Sequence, residues 1–260
     1  MTINMIKTPM VDLQKTAKIS LAKHGLEADG KGGVKVRLVL DHSGSMLRWY
    51  GAGAVQRLTE QVLGLASALD DDGTIETWYF GTGISETYEV SLNPTDSAVP
   101  SRRGLFGRRP RQGLVPLDPY YVGWVDRSHI RESWGSTNYG AALNAPVEFQ
   151  IEQKETEPAL VIFQTDGGPD SREIANHALR AYSGTNTFFA FVVFGKEMEN
   201  GRLTSVGEYM RTLDNLGGRV RDNASVFFTG GLEDYASLSD EAVYDGVLGE
   251  FIKSWLPKVL

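Results

Sequence analysis

The sequence of 260 residues contains no cysteine. Disulfide bonds, cysteine-based zinc sites and thiol nucleophiles are therefore excluded. Long apolar runs are also missing, because the longest one, Phe188 to Phe194, has seven residues, whereas a membrane-spanning helix needs roughly 20. The first residues contain neither an apolar segment nor a small-residue cleavage site, so we expect no signal peptide. These absences favour a cytoplasmic protein that does not enter a membrane.

Several motifs of common enzyme classes are missing as well. The sequence has no P-loop, and neither Ser43 nor Ser45 lies in the Gly-X-Ser-X-Gly pattern of a hydrolase elbow. Gly51 to Gln56 resembles the start of a dinucleotide fingerprint, but the third glycine is absent and no strand directly precedes it. The formal net charge of −7 argues against nucleic acid as a partner for the surface as a whole.

Apolar patterning predicts strands that alternate with helices. Short β-branched and aromatic runs indicate strands, and apolar residues at helical spacing indicate helices between them. Such alternation is typical of an α/β fold with a doubly wound, mostly parallel sheet and helices on both faces. The short link at 81–86 predicts a hairpin and hence one antiparallel edge strand. The predicted strands are 34–40, 74–80, 87–92, 159–163, 188–194 and 224–229, and the predicted helices are 53–70, 118–132, 138–152, 171–182, 203–216 and 239–256.

The same pattern predicts the domain organisation. Residues 31–260 are expected to form one domain, with a flexible insertion at 94–117 that interrupts the alternation. Residues 1–30 precede the first strand, and we expect them to form a strap or hairpin outside the sheet. The length and the hydrophobic content of 41% are sufficient for a full core.

Polar side chains follow two of the predicted strands and occupy a third loop. Asp41 to Ser45 follows the first strand, the loop at 135–140 contains Thr137, and Asp166 follows the strand at 159–163. Because the carboxyl ends of parallel strands meet at one edge of a sheet, Asp41 and Asp166 should lie close together. A hard cation would offset their repulsion. The predicted oxygen ligands of Mg²⁺, Mn²⁺ or Ca²⁺ are Asp41, Ser43, Ser45, Thr137 and Asp166.

The alternative interpretation of these five residues is turn chemistry, since aspartate and serine also cap helices and close loops. All five types in this arrangement favour the metal site over caps. His42 occupies the variable position of the first motif, where we expect an exposed side chain rather than one that supports the site.

Asp-X-Ser-X-Ser, a distant loop threonine and a strand-end Thr-Asp-Gly resemble the metal-ion-dependent adhesion site of von Willebrand factor A domains. The resemblance covers about residues 34–256 and implies the Rossmann-like fold of that family. It implies that the two serines and the threonine bind the cation directly or nearly so, and that the aspartates bind directly or through water. It also implies that an acidic group of a partner protein completes the shell.

A narrower resemblance concerns residues 11–23, which are similar to the opening segment of bacterial tellurium-resistance and stress-response proteins, whose adhesion-type subgroup also resembles the copine type. The usual Lys-Gly-Gln of that segment is here Lys15-Thr16-Ala17. This resemblance implies a bacterial tellurium-resistance or general stress system.

The segment 101–111 contains five arginines and no acidic residue. Removing these five from the 26 basic residues leaves 21 against 33 acidic ones, so the formal net charge of the remainder is −12. One interpretation is a solvated, flexible loop. The other is a contact with an anion such as phosphate, RNA or an acidic protein.

The sequence thus predicts a non-enzymatic, metal-dependent module that binds an acidic group of a protein partner. The alternative is a metal-dependent phosphohydrolase, in which Asp41 is the nucleophile or the metal activates water. An aspartyl-phosphate enzyme usually has a second acid two residues after the first, and Ser43 stands there instead. A third hypothesis is a stress-response scaffold that needs no metal.

Overall fold

The computed structural model describes residues 5, 7–27, 33–70, 73–94 and 117–260. The arginine-rich segment 101–111 and most of the predicted insertion at 94–117 lie outside the described residues. The strands are β1 (Lys35–Asp41), β2 (Thr74–Phe80), β3 (Tyr88–Ser91), β4 (Ala159–Thr165), β5 (Thr187–Val193), β6 (Met198–Glu199), β7 (Arg202–Leu203) and β8 (Ala224–Phe228). The helices are α1 (Met10–Lys23), α2 (Leu47–Gly51), α3 (Ala54–Leu69), α4 (Trp124–Ser128), α5 (Tyr139–Gln153), α6 (Arg172–Ala181), α7 (Ser205–Asp214), α8 (Leu232–Ser237) and α9 (Asp240–Glu250).

Six strands form the central sheet in the order β3-β2-β1-β4-β5-β8. Neighbouring strands are parallel except β2 and β3, which are antiparallel. The predicted mostly parallel sheet with one antiparallel edge strand is therefore confirmed. The register pairs Asp41 with Phe80 and Leu40 with Gln164, which brings the carboxyl ends of β1, β2 and β4 to one edge.

Helices cover both faces of the sheet, as the sequence predicts. One face packs against α1, α3, α8 and α9, and the other packs against α5, α6 and α7. Because successive side chains of a strand point to opposite faces, Leu38 and Leu40 of β1 belong to the first core and Val39 to the second. Both faces of β1 are thus buried, as its nearly continuous apolar run indicates.

Residues 10–23 form the helix α1 rather than a hairpin. The helix packs against α3 and α9, and Leu13, Ala17 and Leu21 are its buried apolar residues. Lys23 and His24 both contact the carboxylate of Asp245 in α9. The N-terminal segment therefore joins the first core through its own apolar side chains.

The predicted helix at 118–132 is shorter than expected. Only Trp124–Ser128 is α-helical, and a 3-10 turn follows at His129–Arg131. The preceding backbone bonds the edge strand instead, because Ser91 donates its N–H to the carbonyl oxygen of Pro119 (2.7 Å) and accepts one from Tyr121 (3.0 Å).

The closing helix predicted at 239–256 is α-helical at Asp240–Glu250 and continues as a π-helical turn at Phe251–Trp255.

Among the described residues, none of the helices combines the length and the apolar character needed to cross a membrane.

Candidate metal centre

The first motif follows the end of β1. Asp41 is its last residue, and its side chain is fully buried. The Ser43 N–H donates to Oδ1 of Asp41 (2.8 Å), and the Tyr50 hydroxyl donates to the Asp41 carbonyl oxygen (2.9 Å). The 3-10 turn Gly44–Met46 then reverses the chain toward α2. The carboxylate of Asp41 is therefore held in place by the turn that follows it.

The second loop is joined to the first by backbone hydrogen bonds. The Gly135 N–H donates to the His42 carbonyl oxygen (3.1 Å), and the Gly44 N–H donates to the Gly135 carbonyl oxygen (3.3 Å). A Cβ atom at Gly135 would lie 2.5 Å from the backbone nitrogen of Thr82, so only glycine allows this approach. The loop that contains Thr137 is thereby placed beside Ser43.

The third motif follows β4, the neighbour of β1 in the sheet. The Ser45 hydroxyl donates to Oδ1 of Asp166 (2.7 Å), and the hydroxyl oxygens of Ser43 and Ser45 are 3.1 Å apart. Asp41, Ser43, Ser45 and Asp166 therefore form one hydrogen-bonded set, in which the Ser43 N–H provides the link to Asp41. Asp166 is distant from the other three in sequence.

Thr137 lies next to this set but is engaged elsewhere. Its N–H donates to Oδ1 of Asp170 (3.0 Å), and its carbonyl oxygen accepts the Asp170 N–H (2.9 Å). Within the described ranges, its side chain makes no hydrogen bond to the other four predicted ligands. The structure thus connects four of the five predicted ligands by hydrogen bonds. The fifth, Thr137, is held by Asp170, which was not among the predicted site residues.

The electrostatics of the two aspartates differ from those of ordinary surface carboxylates. Burial raises the pKa of Asp41 to about 6, against hydrogen bonds from Ser43 and Thr165 that lower it, and the negative charge of Asp166 raises it further. Burial also raises the pKa of Asp166, which the hydrogen bond from Ser45 and the positive charge of Arg48 oppose. Neither carboxylate forms an ion pair with a described residue.

Thr165 supports Asp41 from the end of β4. Its hydroxyl donates to Oδ2 of Asp41 (2.6 Å), so both carboxylate oxygens accept a hydrogen bond. The Tyr139 hydroxyl lies 3.1 Å from the Thr165 hydroxyl and 2.6 Å from the Gly167 carbonyl oxygen. Thr165 belongs to the Thr-Asp-Gly motif, but its role depends on the parallel pairing of β1 and β4, which a sequence motif does not show.

His42 is buried, with 1% of its surface exposed, so the expectation of an exposed side chain is wrong. Its ring stacks on Trp134 with a centroid distance of 3.8 Å and an interplanar angle of 8°. Tyr50 and Tyr79 contact its edges. Because the 135–140 loop pairs with the first motif, Trp134 closes over the His42 ring and removes it from solvent.

The donor atoms fit a hard cation. The carboxylates and hydroxyls present only oxygen, which suits Mg²⁺, Mn²⁺ or Ca²⁺ better than softer metals. Over the described ranges, no group of three or more histidine, aspartate or glutamate residues is placed to hold a metal ion. A cation at Asp41 and Asp166 would therefore depend on the serine hydroxyls and on water or a partner group.

Three comparisons relate this chain to known proteins. The model of the family vWA-TerF-like, described as the von Willebrand factor A domain found in the TerF C terminus, matches residues 33–259. The uncharacterized protein YcbR of Bacillus subtilis (strain 168) is 28% identical over 248 residues, which are 93% of this chain and 84% of YcbR.

Two solved structures are similar at lower identity. The manganese-loaded TRAP protein of Plasmodium vivax has a TM-score of 0.44 and 18% identity, and the match covers 82% of this chain and 73% of that one. The von Willebrand factor type A protein from Catenulispora acidiphila has a TM-score of 0.46 and 17% identity, and the match covers 85% of this chain and 42% of that one.

Proposed function

Because this chain belongs to the family of von Willebrand factor A domains found in the TerF C terminus, we propose that it is a metal-dependent interaction module. A divalent cation, Mg²⁺ in the first place and Mn²⁺ or Ca²⁺ as alternatives, connects the sheet edge to an acidic group of a protein partner. The family commonly mediates metal-dependent protein interactions, which supports this proposal.

The observation that carries the proposal is a buried carboxylate without a compensating charge. Asp41 is fully buried, and within the described ranges no lysine, arginine or histidine side chain pairs with it. A buried charge without a partner is costly to a folded protein. Asp41 accepts the Ser43 N–H, and the hydroxyls of Ser43 and Ser45 connect this turn to a second aspartate, Asp166. A cation among these oxygens would offset both negative charges.

The roles of the residues follow from this arrangement. Asp41 and Asp166 supply the negative charge, and Ser43 and Ser45 supply neutral hydroxyl oxygens. Thr137 is the fifth ligand candidate, held in place through its backbone by Asp170. Two carboxylates balance a doubly charged cation, and five protein oxygens leave at least one of the six positions of Mg²⁺ for a further oxygen. An acidic side chain of the partner would supply that oxygen.

We propose further that the module is not an enzyme. Both oxygens of Asp41 already accept hydrogen bonds, and its side chain is closed to solvent, which disfavours it as a nucleophile. His42, the nearest histidine in the sequence, lies flat against Trp134, which disfavours it as a general base. A phosphatase and nuclease assay with Mg²⁺ and Mn²⁺ tests this directly. Turnover that Asp41→Asn abolishes would establish the phosphohydrolase instead.

The biological setting is proposed from the family match and from the leader-like residues 11–23. We propose a bacterial tellurium-resistance or general stress system in the cytoplasm. The arginine-rich segment 101–111 is proposed as a second contact for an anionic group of the partner. Resistance to tellurite in a host strain with and without this gene, complemented by Asp41→Ala, tests the setting separately from the metal site.

The metal site itself is tested by calorimetric titration of Mg²⁺ and Mn²⁺ into the wild-type chain. The double variant Ser43→Ala and Ser45→Ala should weaken binding by more than about tenfold, because two oxygen ligands are lost. Ser67→Ala is the matched control, since Ser67 lies in α3 and its hydroxyl donates to the Gly64 carbonyl oxygen (2.8 Å). Metal affinity that is absent from the wild type, or that is equal in all three proteins, would refute the proposal.

The interaction is tested by affinity purification from the native host in Mg²⁺ and in chelator. A partner should be retained by the wild type and by Ser67→Ala in Mg²⁺, and it should be released by chelator. Retention that is indifferent to chelator and to the double variant would show that binding does not pass through the cation.

A further inference from the structure

A cleft of about 210 Å³ lies beside the candidate metal centre. Its walls come from the β2–β3 loop at 81–85 and from residues 131–135, and its lining includes His42, Ile84 and Trp134. Pockets for small molecules usually have about 300–1,000 Å³. The cleft is therefore sized for one side chain of a partner rather than for a metabolite.

The rim of the cleft is apolar and exposed. Trp134 is 38% exposed and Ile84 37% exposed, and both line the cleft. Large apolar side chains that cluster on a surface are more informative than single ones, because such patches mark binding sites. The other face of the Trp134 ring is fixed by its stacking on His42, so this rim is rigid.

Inside the cleft, His42 has an unsatisfied polar atom. Its ring is almost fully buried, and neither ring nitrogen forms a hydrogen bond of normal geometry within the described part of the chain. The Ser133 backbone lies near the ring and can hydrogen-bond one of its two nitrogens. The other nitrogen is left without a partner, which costs free energy when a polar atom is buried.

The cleft adjoins the metal centre where the segment after β1 pairs with the loop at 135–140. His42 precedes the predicted ligand Ser43, Trp134 precedes Gly135, and Ser43 and Gly135 pair with each other. Because an extended chain advances about 3.3 Å per residue, a partner segment with its carboxylate at the cation would place a side chain at the cleft one to three residues away.

The charges at this edge suit an acidic segment. The positive charge of Arg48 acts on Asp166, and Arg131 belongs to the cleft lining. The carboxylate of Glu132, which also lines the cleft, accepts a hydrogen bond from the Tyr88 hydroxyl (2.5 Å). The cleft therefore combines an arginine with an aromatic wall, and one ring nitrogen of His42 in that wall has no hydrogen-bond partner among the described residues.

We propose that this cleft binds a tyrosine or tryptophan side chain from the same partner segment that presents its carboxylate to the cation. The ring packs against Trp134 and Ile84, and its hydroxyl or indole N–H hydrogen-bonds the open nitrogen of His42. Aromatic residues with a polar tip are enriched at interfaces for this reason. The contact between the partner's carboxylate and the cation rests on the proposed function. The contact between the partner's aromatic side chain and the cleft depends on the cleft alone.

The cleft is tested without metal or partner by titrating p-cresol, which reproduces the tyrosine side chain, and toluene, which lacks the hydroxyl. Binding is followed in chelator by NMR shifts of the backbone amides at 81–85 and 131–135, which line the cleft. We expect p-cresol to bind about 2- to 10-fold more tightly than toluene, as one net hydrogen bond implies. Equal affinities, or shifts that map away from Trp134, would overturn the proposal.

Variants locate the binding. His42→Phe keeps a stacked ring but removes both nitrogens, so it should abolish the preference for p-cresol. Trp134→Ala, at a half-exposed position, should weaken both probes, and Ile151→Ala, at an exposed position of α5, is the matched control that should change neither. Self-association of the free protein that Trp134→Ala abolishes would assign the cleft to a second copy of this chain and overturn the proposal.

The link to the metal is tested with three amidated peptides in saturating Mg²⁺. They are glycine-aspartate-glycine-tyrosine-glycine, its alanine-for-tyrosine version and its asparagine-for-aspartate version. Loss of affinity in both altered peptides supports the joint site. An effect of tyrosine alone sustains the cleft but refutes the metal bridge, whereas an effect of aspartate alone refutes the cleft and sustains the bridge.

Discussion

Replacing Asp41 by asparagine removes a negative charge from the interior while it keeps the shape of the side chain. The amide carbonyl still accepts the Ser43 N–H, which lies 2.8 Å from Oδ1 in the wild type. The amide NH₂ then faces the Thr165 hydroxyl, which turns to donate to the Gly167 carbonyl oxygen, 3.3 Å away. The variant therefore isolates the charge of Asp41 from its packing.

The size of the effect follows from the pKa. The pKa of Asp41 is raised to about 6 from an ordinary 3.8, so the native state holds this proton more tightly than the unfolded chain. Between about pH 4 and pH 6 the native state binds more protons, and the free energy of unfolding of metal-free protein falls as the pH rises through this window. About two pKa units correspond to roughly 3 kcal/mol near pH 7.

In chelator, Asp41→Asn should therefore be more stable than the wild type near pH 7, by about 1–3 kcal/mol once imperfect hydrogen bonding of the amide is allowed for. For a chain of this size that raises the Tm by about 2–4 °C per kcal/mol. The difference should shrink as the pH falls from about 6 to 4, where Asp41 becomes neutral in the wild type as well.

Mg²⁺ should cancel or reverse this difference in stability. At about 100 times its Kd, a ligand stabilises the native state by about 2.7 kcal/mol, which the wild type should gain and Asp41→Asn should not. Calorimetric or denaturant unfolding of the wild type and of Asp41→Asn, each in chelator and in Mg²⁺, measures the four stabilities.

The matched control is Asp70→Asn, because Asp70 is also buried but pairs with Lys35 at 2.9 Å. That variant should be destabilised in both buffers, since it breaks a compensated pair. An Asp41→Asn protein that is destabilised in chelator, or that responds to Mg²⁺ as the wild type does, would refute the reasoning.

Three further outcomes are expected. Tyr139→Phe should cost about 1–2 kcal/mol, because it removes a buried hydroxyl that holds Thr165, and it should weaken Mg²⁺ binding by several-fold in the same titration. Gly246→Ala should lower the free energy of unfolding by about 1–3 kcal/mol in denaturant unfolding, because its Cβ would lie 2.2 Å from the Phe227 ring. Leu13→Ala should cost about 2–5 kcal/mol by opening a cavity under α1, and a change below about 0.5 kcal/mol would show that α1 does not contribute to the core.

The strand and helix pattern was predictable because it depends on local periodicity. The apolar run of β1 identifies a strand buried on both faces, and the short link before β3 identifies the antiparallel edge. The helix α1 was missed, although Leu13, Ala17 and Leu21 follow helical spacing and all three are buried. The helix at 118–132 was overestimated, because its first residues bond Ser91 of the edge strand.

The candidate site was likewise predictable only in part. The motif residues Asp41, Ser43, Ser45 and Asp166 were identifiable, since their side-chain chemistry and their positions after strands are written in the sequence. The contacts of Thr165 with Asp41, and of Asp170 with Thr137, depend on which strands become neighbours. No spacing in the sequence contains that information.

From the sequence alone, the alternating α/β architecture and the oxygen-bearing residues at the sheet edge could be predicted, and cysteine chemistry could be excluded. The full burial of Asp41, the position of His42 beneath Trp134 and the cleft beside the two depend on tertiary packing. Periodicity and turn chemistry act between near neighbours in the chain, whereas burial and pKa shifts arise from groups that long-range packing brings together.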